Sequence, residues 1–184
     1  MDRQIYLGDK SSRQGYWTSF ESSPYLTVTR KNIYGRCVPC IESLLNQLAE
    51  GKQAIGLNQA FDCWKVVAVL DDETECLKVL AAYEQKPFSA PHVRGRFGSK
   101  EKEGKKAVIF HADNREERDL ILTDLKQCVG QVKPDAQVFF SRACAYLQGQ
   151  VLGDGSDWEK VTPVKHPENI AEVIRRCRKS LYDW

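Results

Sequence analysis

The chain has 184 residues, 42% hydrophobic and 28% charged, an ordinary globular composition that excludes collagen-like, coiled-coil and disordered classes. Its 27 Lys and Arg against 25 Asp and Glu leave a net charge of +2, too small to demand nucleic acid, an acidic membrane face or an acidic substrate. That length favours one domain over residues 1–184, able to bury roughly 70% of the surface its unfolded chain exposes.

Residues 1–24 set Tyr6, Tyr16, Trp17 and Phe20 among Ser, Gly and charges and read as an irregular packed arm. Asp2, Arg3, Asp9, Lys10, Arg13, Glu21 and Arg30 interrupt every apolar stretch there, so no export leader is expected. A β-branched run from Tyr25 to Thr29 predicts a strand. Pro39 followed by Ile41, Leu44, Leu45 and Leu48 has helical spacing that ends near Gly51. This strand-helix unit completes an N-terminal extension over 1–60.

The centre, 64–146, is the most regular part. Trp64 to Leu70 is an apolar, β-branched strand, and its Val66–Leu70 run falls far short of the ~18 to 20 residues a membrane span needs. Asp72 and Glu75 then predict a capping box ahead of Cys76, Val79, Leu80 and Tyr83, because a side-chain oxygen at a helix start accepts an otherwise orphan N–H. Pro87 stops that helix. Ser89 to Phe97 and Lys106 to Ala112 predict a hairpin around the charged turn Gly98–Gly104. Asn114 and Glu117 repeat the cap ahead of Ile121, Leu122, Leu125, Cys128 and Val129, and Gln137 to Tyr146 is extended or mixed. An offset of 42 lays Asp72 on Asn114, Glu75 on Glu117 and Val79 on Ile121. Two similar strand-helix units in this order predict an α+β fold, a ferredoxin-like antiparallel sheet with its helices on one face.

The C-terminal part, 147–184, holds a Gly-rich turn at Gly153–Ser156, then Pro163 and Pro167. It ends in a helix whose stripe of Ile170, Val173, Ile174, Cys177 and Leu181 predicts docking on the body.

Cys37-Val38-Pro39-Cys40 opens a predicted helix. A thiol there feels the positive end of the helix dipole, which favours the thiolate, and a second thiol three residues on can resolve a mixed disulfide. These four residues resemble the active-site motif of the thioredoxin-like family. The resemblance implies that Cys37 attacks, that Cys40 resolves, and that a thioredoxin-like core is an alternative fold. In that core a cis proline would stand beside the thiols, and Ala90-Pro91 is the candidate. A closed zinc site needs four ligands, and the chain has one Cys-x-x-Cys and no His-x₃₋₅-His. Cys63, Cys76, Cys128, Cys144 and Cys177 lie mostly on apolar stripes, where cysteine packs as a small hydrophobe, so no metal is expected.

The second constellation is Arg94, Arg96, Phe97, Lys100 and Lys102 on the predicted hairpin. Guanidinium and ammonium groups there can clasp phosphates, and Phe97 can stack a base. Dinucleotide, Walker-type, nucleophile-elbow and zinc-protease motifs are all missing, and no cofactor is expected.

The leading expectation is a cytoplasmic, non-enzymatic binding or regulatory module for a phosphate-bearing ligand, RNA or a nucleotide, held by Arg94, Arg96, Phe97, Lys100 and Lys102. The alternative is a thiol–disulfide oxidoreductase using Cys37 and Cys40. A third is a protein-interaction domain, with self-association into a homo-oligomer as one form.

Overall fold

The computed structural model describes residues 4–11, 15–25 and 37–182. The strand expected over 25–29 falls largely outside them. The protein is α+β, with a mostly antiparallel sheet and six α-helices among the described residues. Contacts group the chain into two compact units, Met1–Ile33 with Trp64–Phe140, and Tyr34–Cys63 with Ser141–Trp184.

The first unit carries a six-stranded sheet. Its strands are β1 (Tyr6–Ser11), β2 (Tyr16–Glu21), β4 (Trp64–Leu70), β5 (Arg94–Ser99), β6 (Lys106–Ala112) and β7 (Val138–Arg142), which ends just past the unit's boundary. They lie in the order β1-β2-β5-β6-β4-β7. Antiparallel registers join β5 to β6 (Phe97 opposite Val108) and β4 to β6 (Val67 opposite Ile109). Hydrogen bonds from Val69 N to Gln137 O and from Ala143 N to Cys63 O, each 3.0 Å, bracket the β4–β7 pair, so these strands also run antiparallel.

The described part of residues 1–24 therefore does not form the irregular arm expected. Tyr6–Ser11 and Tyr16–Glu21 pair antiparallel and extend the sheet, with Trp17 opposite Gly98 and Phe20 opposite Gly95. The reason is burial on both faces: Trp17 through Glu21 are all buried, so β2 lacks the polar–apolar alternation that marks a half-exposed strand.

Two helices of this unit, α3 (Glu73–Glu84) and α4 (Arg115–Val132), start where their caps predict. Asp72 accepts from Glu75 N and Asn114 from Glu117 N, both at 2.8 Å. The Glu75 and Glu117 carboxylates reach back to the N–H of Asp71 and Asp113. The paired positions Val79 and Ile121, like Tyr83 and Leu125, are buried in one core with Val66, Ala68, Leu70, Val108, Phe110 and Ala112. Alternate strand residues Val67 and Ile109 point to the opposite face and pack with Trp17.

The second unit is largely helical. It holds α1 (Cys37–Ala49), the short α2 (Gln59–Asp62), α5 (Ala145–Leu152), α6 (Ile170–Tyr182), and a small antiparallel pair of β3 (Ala54–Gly56) with β8 (Val161–Pro163). Leu44, Leu48, Ile55, Leu152, Trp158, Val173 and Cys177 share its core. The C-terminal helix docks by the stripe its sequence predicts, Val173 and Cys177 being fully buried. No described helix is long and apolar enough to cross a membrane.

Candidate functional site

Helix α1 buries Cys40, Ile41, Leu44 and Leu48 along one stripe, and that stripe begins at Cys37. The apolar spacing that docks the helix thus turns both thiols of the Cys-x-x-Cys toward the interior of the second unit, Cys37 half-buried and Cys40 buried. Pro39 sits in the first helical turn, where its missing N–H costs no intrahelical bond.

A third thiol meets them. Cys144 occupies the cap position of α5, packs with Cys40 and Ala60, and hydrogen-bonds to both Cys37 and Cys40. Those two hydrogen bonds, and after them burial, push the Cys144 thiol far above its ordinary value, so it keeps its proton and has one S–H to donate within the cluster. Gln59 of α2 donates Nε2–H to the Cys40 sulfur at 3.4 Å. The Tyr146 hydroxyl is pushed up to about 12, first by burial and then by Cys37, Cys144 and Cys177. The backbone arrangement is fixed nearby: the Cys63 carbonyl accepts from Ala143 N, and the Arg142 guanidinium stacks 4.3 Å over Phe61. Among the described residues no group of three or more His, Cys, Asp or Glu is arranged to hold a metal ion.

Sequence reasoning found Cys37 and Cys40 and passed over Cys144. The residue lies 104 positions beyond Cys40 (144 − 40) in an apolar setting. The segment around it reads as extended or mixed, and nothing local sets Cys144 apart from a packing residue.

Helix α1 belongs to the second unit, whose one sheet among the described residues is the two-stranded pair, and not to the unit of the six-stranded sheet. A thioredoxin-like core, with the motif opening a helix of a central sheet, does not describe this placement. Ala90-Pro91 lies in the other unit, and its peptide bond is trans.

The hairpin residues are not gathered into one site. Phe97 is 2% exposed in the helix-side core and presents no face to a base, because strand alternation sends it opposite to its neighbours. Arg94 is buried and ion-paired with Asp113 at 2.6 Å. Arg96 lies 4.3 Å over the Trp17 ring. Cross-strand from Arg94, Glu21 is buried too, and burial raises its carboxyl despite His92 and Arg94. Lys100 and Lys102 are exposed on the turn between β5 and β6, where Lys106 Nζ donates to Ser99 Oγ at 2.9 Å and to the Lys102 carbonyl at 2.8 Å.

Compared with protein-family models, curated proteins and solved structures, the chain matches none.

Proposed function

We propose that the protein is a thiol–disulfide oxidoreductase centred on Cys37, Cys40 and Cys144. The observation that carries this reading is the convergence of three unpaired thiols, buried Cys144 packed against buried Cys40 with half-buried Cys37 one helical turn away on the same stripe. A protonated thiol donating to a neighbouring sulfur stabilises a thiolate there, and a helix start favours the same charge. Half-buried Cys37 is the attacking group. Its thiolate displaces one thiolate from a substrate disulfide and forms a mixed disulfide. Cys40 then attacks the Cys37 sulfur, closing an intramolecular disulfide and releasing the second substrate thiolate. Two protein thiols are oxidised, the substrate disulfide is reduced, and their two protons pass to the leaving thiolates. An external dithiol returns the protein to its starting state. Residues three apart on a helix have Cα atoms roughly 5 Å apart, within the span a disulfide bridges. Seven unpaired cysteines suit a reducing compartment such as the cytoplasm.

Oxidising the full chain with one equivalent of a small disulfide and mapping its peptides by mass spectrometry tests the reading. The expected product links Cys37 to Cys40 or to Cys144, and Cys37→Ser loses exchange while Cys76→Ser retains it. An oxidised protein with no bridge among these three, or a Cys37→Ser variant exchanging at the original rate, would overturn it.

For the fold of the centre, 64–146, the order β7-β4-β6-β5 and the helices joining β4 to β5 and β6 to β7 support a ferredoxin-like plan. A second functional reading, a phosphate-bearing ligand such as RNA or a nucleotide, is favoured by the exposure of Lys100, Lys102 and Lys105 on one turn. It ranks below the thiol reading because Arg94 is engaged by Asp113 and Phe97 is core. Protection of these lysines from acetylation by single-stranded RNA would reverse the ranking.

A further inference from the structure

We infer that Gln59 controls the second step of the exchange: its side-chain amide holds Cys40 as the thiolate that closes the disulfide. This rests on the oxidoreductase reading above and assigns the residue that regulates resolution at the same site.

The carrying observation is a direct contact between the two side chains. Gln59 Nε2–H donates to the Cys40 sulfur at 3.4 Å, from an exposed residue onto a buried thiol. The segment that delivers Gln59 is fixed on α1. Gln47, seven residues beyond Cys40 and hence on the same helix face, clasps Gly56 at two points. Its Nε2 donates to the Gly56 carbonyl at 3.0 Å and its Oε1 accepts from Gly56 N at 2.8 Å. Leu57 N donates to the Lys160 carbonyl and Ala60 N to the Leu57 carbonyl, each at 2.9 Å, closing a turn across 57–60. Buried Ala60 then packs against Cys40 and Cys144. Asn58 sits in that turn with φ 47° and ψ −130°, the one non-glycine residue at positive φ among the described residues. Such a backbone persists only where its surroundings enforce it, and here it aims the next side chain at the sulfur.

The contact discriminates between the two protonation states of Cys40. An N–H donor gains little from a neutral thiol and much more from a thiolate, so it favours deprotonation. Around Cys40 stand Cys37 on its own helix and Cys144 from α5, both titratable, and the uncharged Ala60 and Gln59 of α2. The single S–H of Cys144 cannot serve two sulfurs at once; with Gln59 on Cys40 it is left for Cys37. In the closing step the Cys40 proton passes to solvent and the thiolate attacks the Cys37 sulfur. The bond from Cys37 to the substrate breaks, and its electron pair leaves on the substrate thiolate, which takes up a proton. Gln59 keeps its own N–H throughout.

The test treats the reduced full chain carrying Cys63→Ser, in which Cys37 is the one half-buried cysteine, with one equivalent of 5,5′-dithiobis(2-nitrobenzoate). Attack by Cys37 releases the first coloured thiolate and closure by Cys40 the second, so one stopped-flow trace separates the two steps. Across about pH 6 to 10, Gln59→Leu is expected to leave the first release unaltered. It moves the midpoint of the second up by at least about one pH unit, the tenfold worth of a hydrogen bond to a charged group. Below both midpoints the variant closes about three- to fourfold more slowly; above them it closes faster, because a more basic thiolate is the better nucleophile. A loosened fold does not produce that crossing. Gln59→Glu, which replaces the donor with a negative charge, moves the midpoint further still. A second release whose profile neither substitution shifts, or an equal slowing of both steps, overturns the role of Gln59 and leaves the oxidoreductase reading standing. Absence of the first release, or a mixed disulfide that never closes in the parent, overturns both.

Discussion

Gly95 and Gly130 show opposite uses of the same residue. A Cβ on Gly95 would sit 2.0 Å from the Ile109 carbonyl oxygen and 2.6 Å from Phe20 Cζ, so β5 and β6 approach and Phe20 covers them only because no side chain is there. Gly95→Ala is expected to lower stability by about 3 kcal/mol, since a backbone carbonyl cannot move aside. Gly130 lies in α4 with nothing within 4 Å of its missing Cβ. Gly130→Ala is expected to raise stability by about 0.5–1 kcal/mol, because alanine forfeits less backbone freedom in a helix. Urea unfolding of both variants checks the pair, and equal effects would contradict this account. At this scale Cys37 and Cys40 were legible in the sequence because they are three residues apart. Cys144 was not, because only tertiary packing brings it to them. Phe97 was misread for a related reason: a strand's two faces look alike until its partners are known, and here Phe97 turned to the core while Arg94 and Arg96 turned away.

The helices are where sequence and structure agree most closely. Each capping box is a local object, a side chain meeting an N–H three residues on, so Asp72 and Asn114 needed no knowledge of the fold. Asp72→Ala and Asn114→Ala are each expected to cost about 1 kcal/mol, while Asp72→Asn stays near the parent because asparagine caps as well. Thermal or urea unfolding reads both, and a silent Asn114→Ala would mean the cap is redundant with the packing of α4. Strands were less legible in proportion to how far their partners lie. The β5–β6 hairpin was expected, with β5 beginning at Arg94 rather than Ser89. The pairing of β3 with β8 was not foreseen, because two three-residue strands with about a hundred residues between them leave no periodic signal.

Across the whole molecule the seven cysteines divide by burial, and reagent access should report that division. Cys37 and Cys63 are half-buried, while Cys76, Cys128 and Cys177 are fully buried. Burial first, then the nearby Asp72, Glu73 and Glu75 carboxylates, pushes the Cys76 thiol up to about 12, and burial pushes Cys177 up to about 11. Both therefore stay protonated at neutral pH as well as hidden. Titration of the native protein with a chromogenic disulfide reagent at pH 7.5 is expected to show a fast phase from Cys37 and Cys63. Cys76, Cys128 and Cys177 should react only at the rate of unfolding, and fully in denaturant. Fast labelling of Cys76 or Cys128 in the native state would show that the first unit's core opens far more readily than its packing implies.

The second unit is assembled from two stretches, Tyr34–Cys63 and Ser141–Trp184, while every residue of the first lies before position 141. During translation the six-stranded layer can therefore gather nearly all its members while the later stretch is still inside the ribosome. Cys37 and Cys40 leave the exit tunnel as a bare pair, and Cys144 joins them only after about a hundred further residues have been added. A nascent polypeptide halted before that point presents both sulfurs without the proton donor that favours a thiolate, so arrested chains should exchange with a small disulfide more slowly per accessible thiol than the folded molecule does.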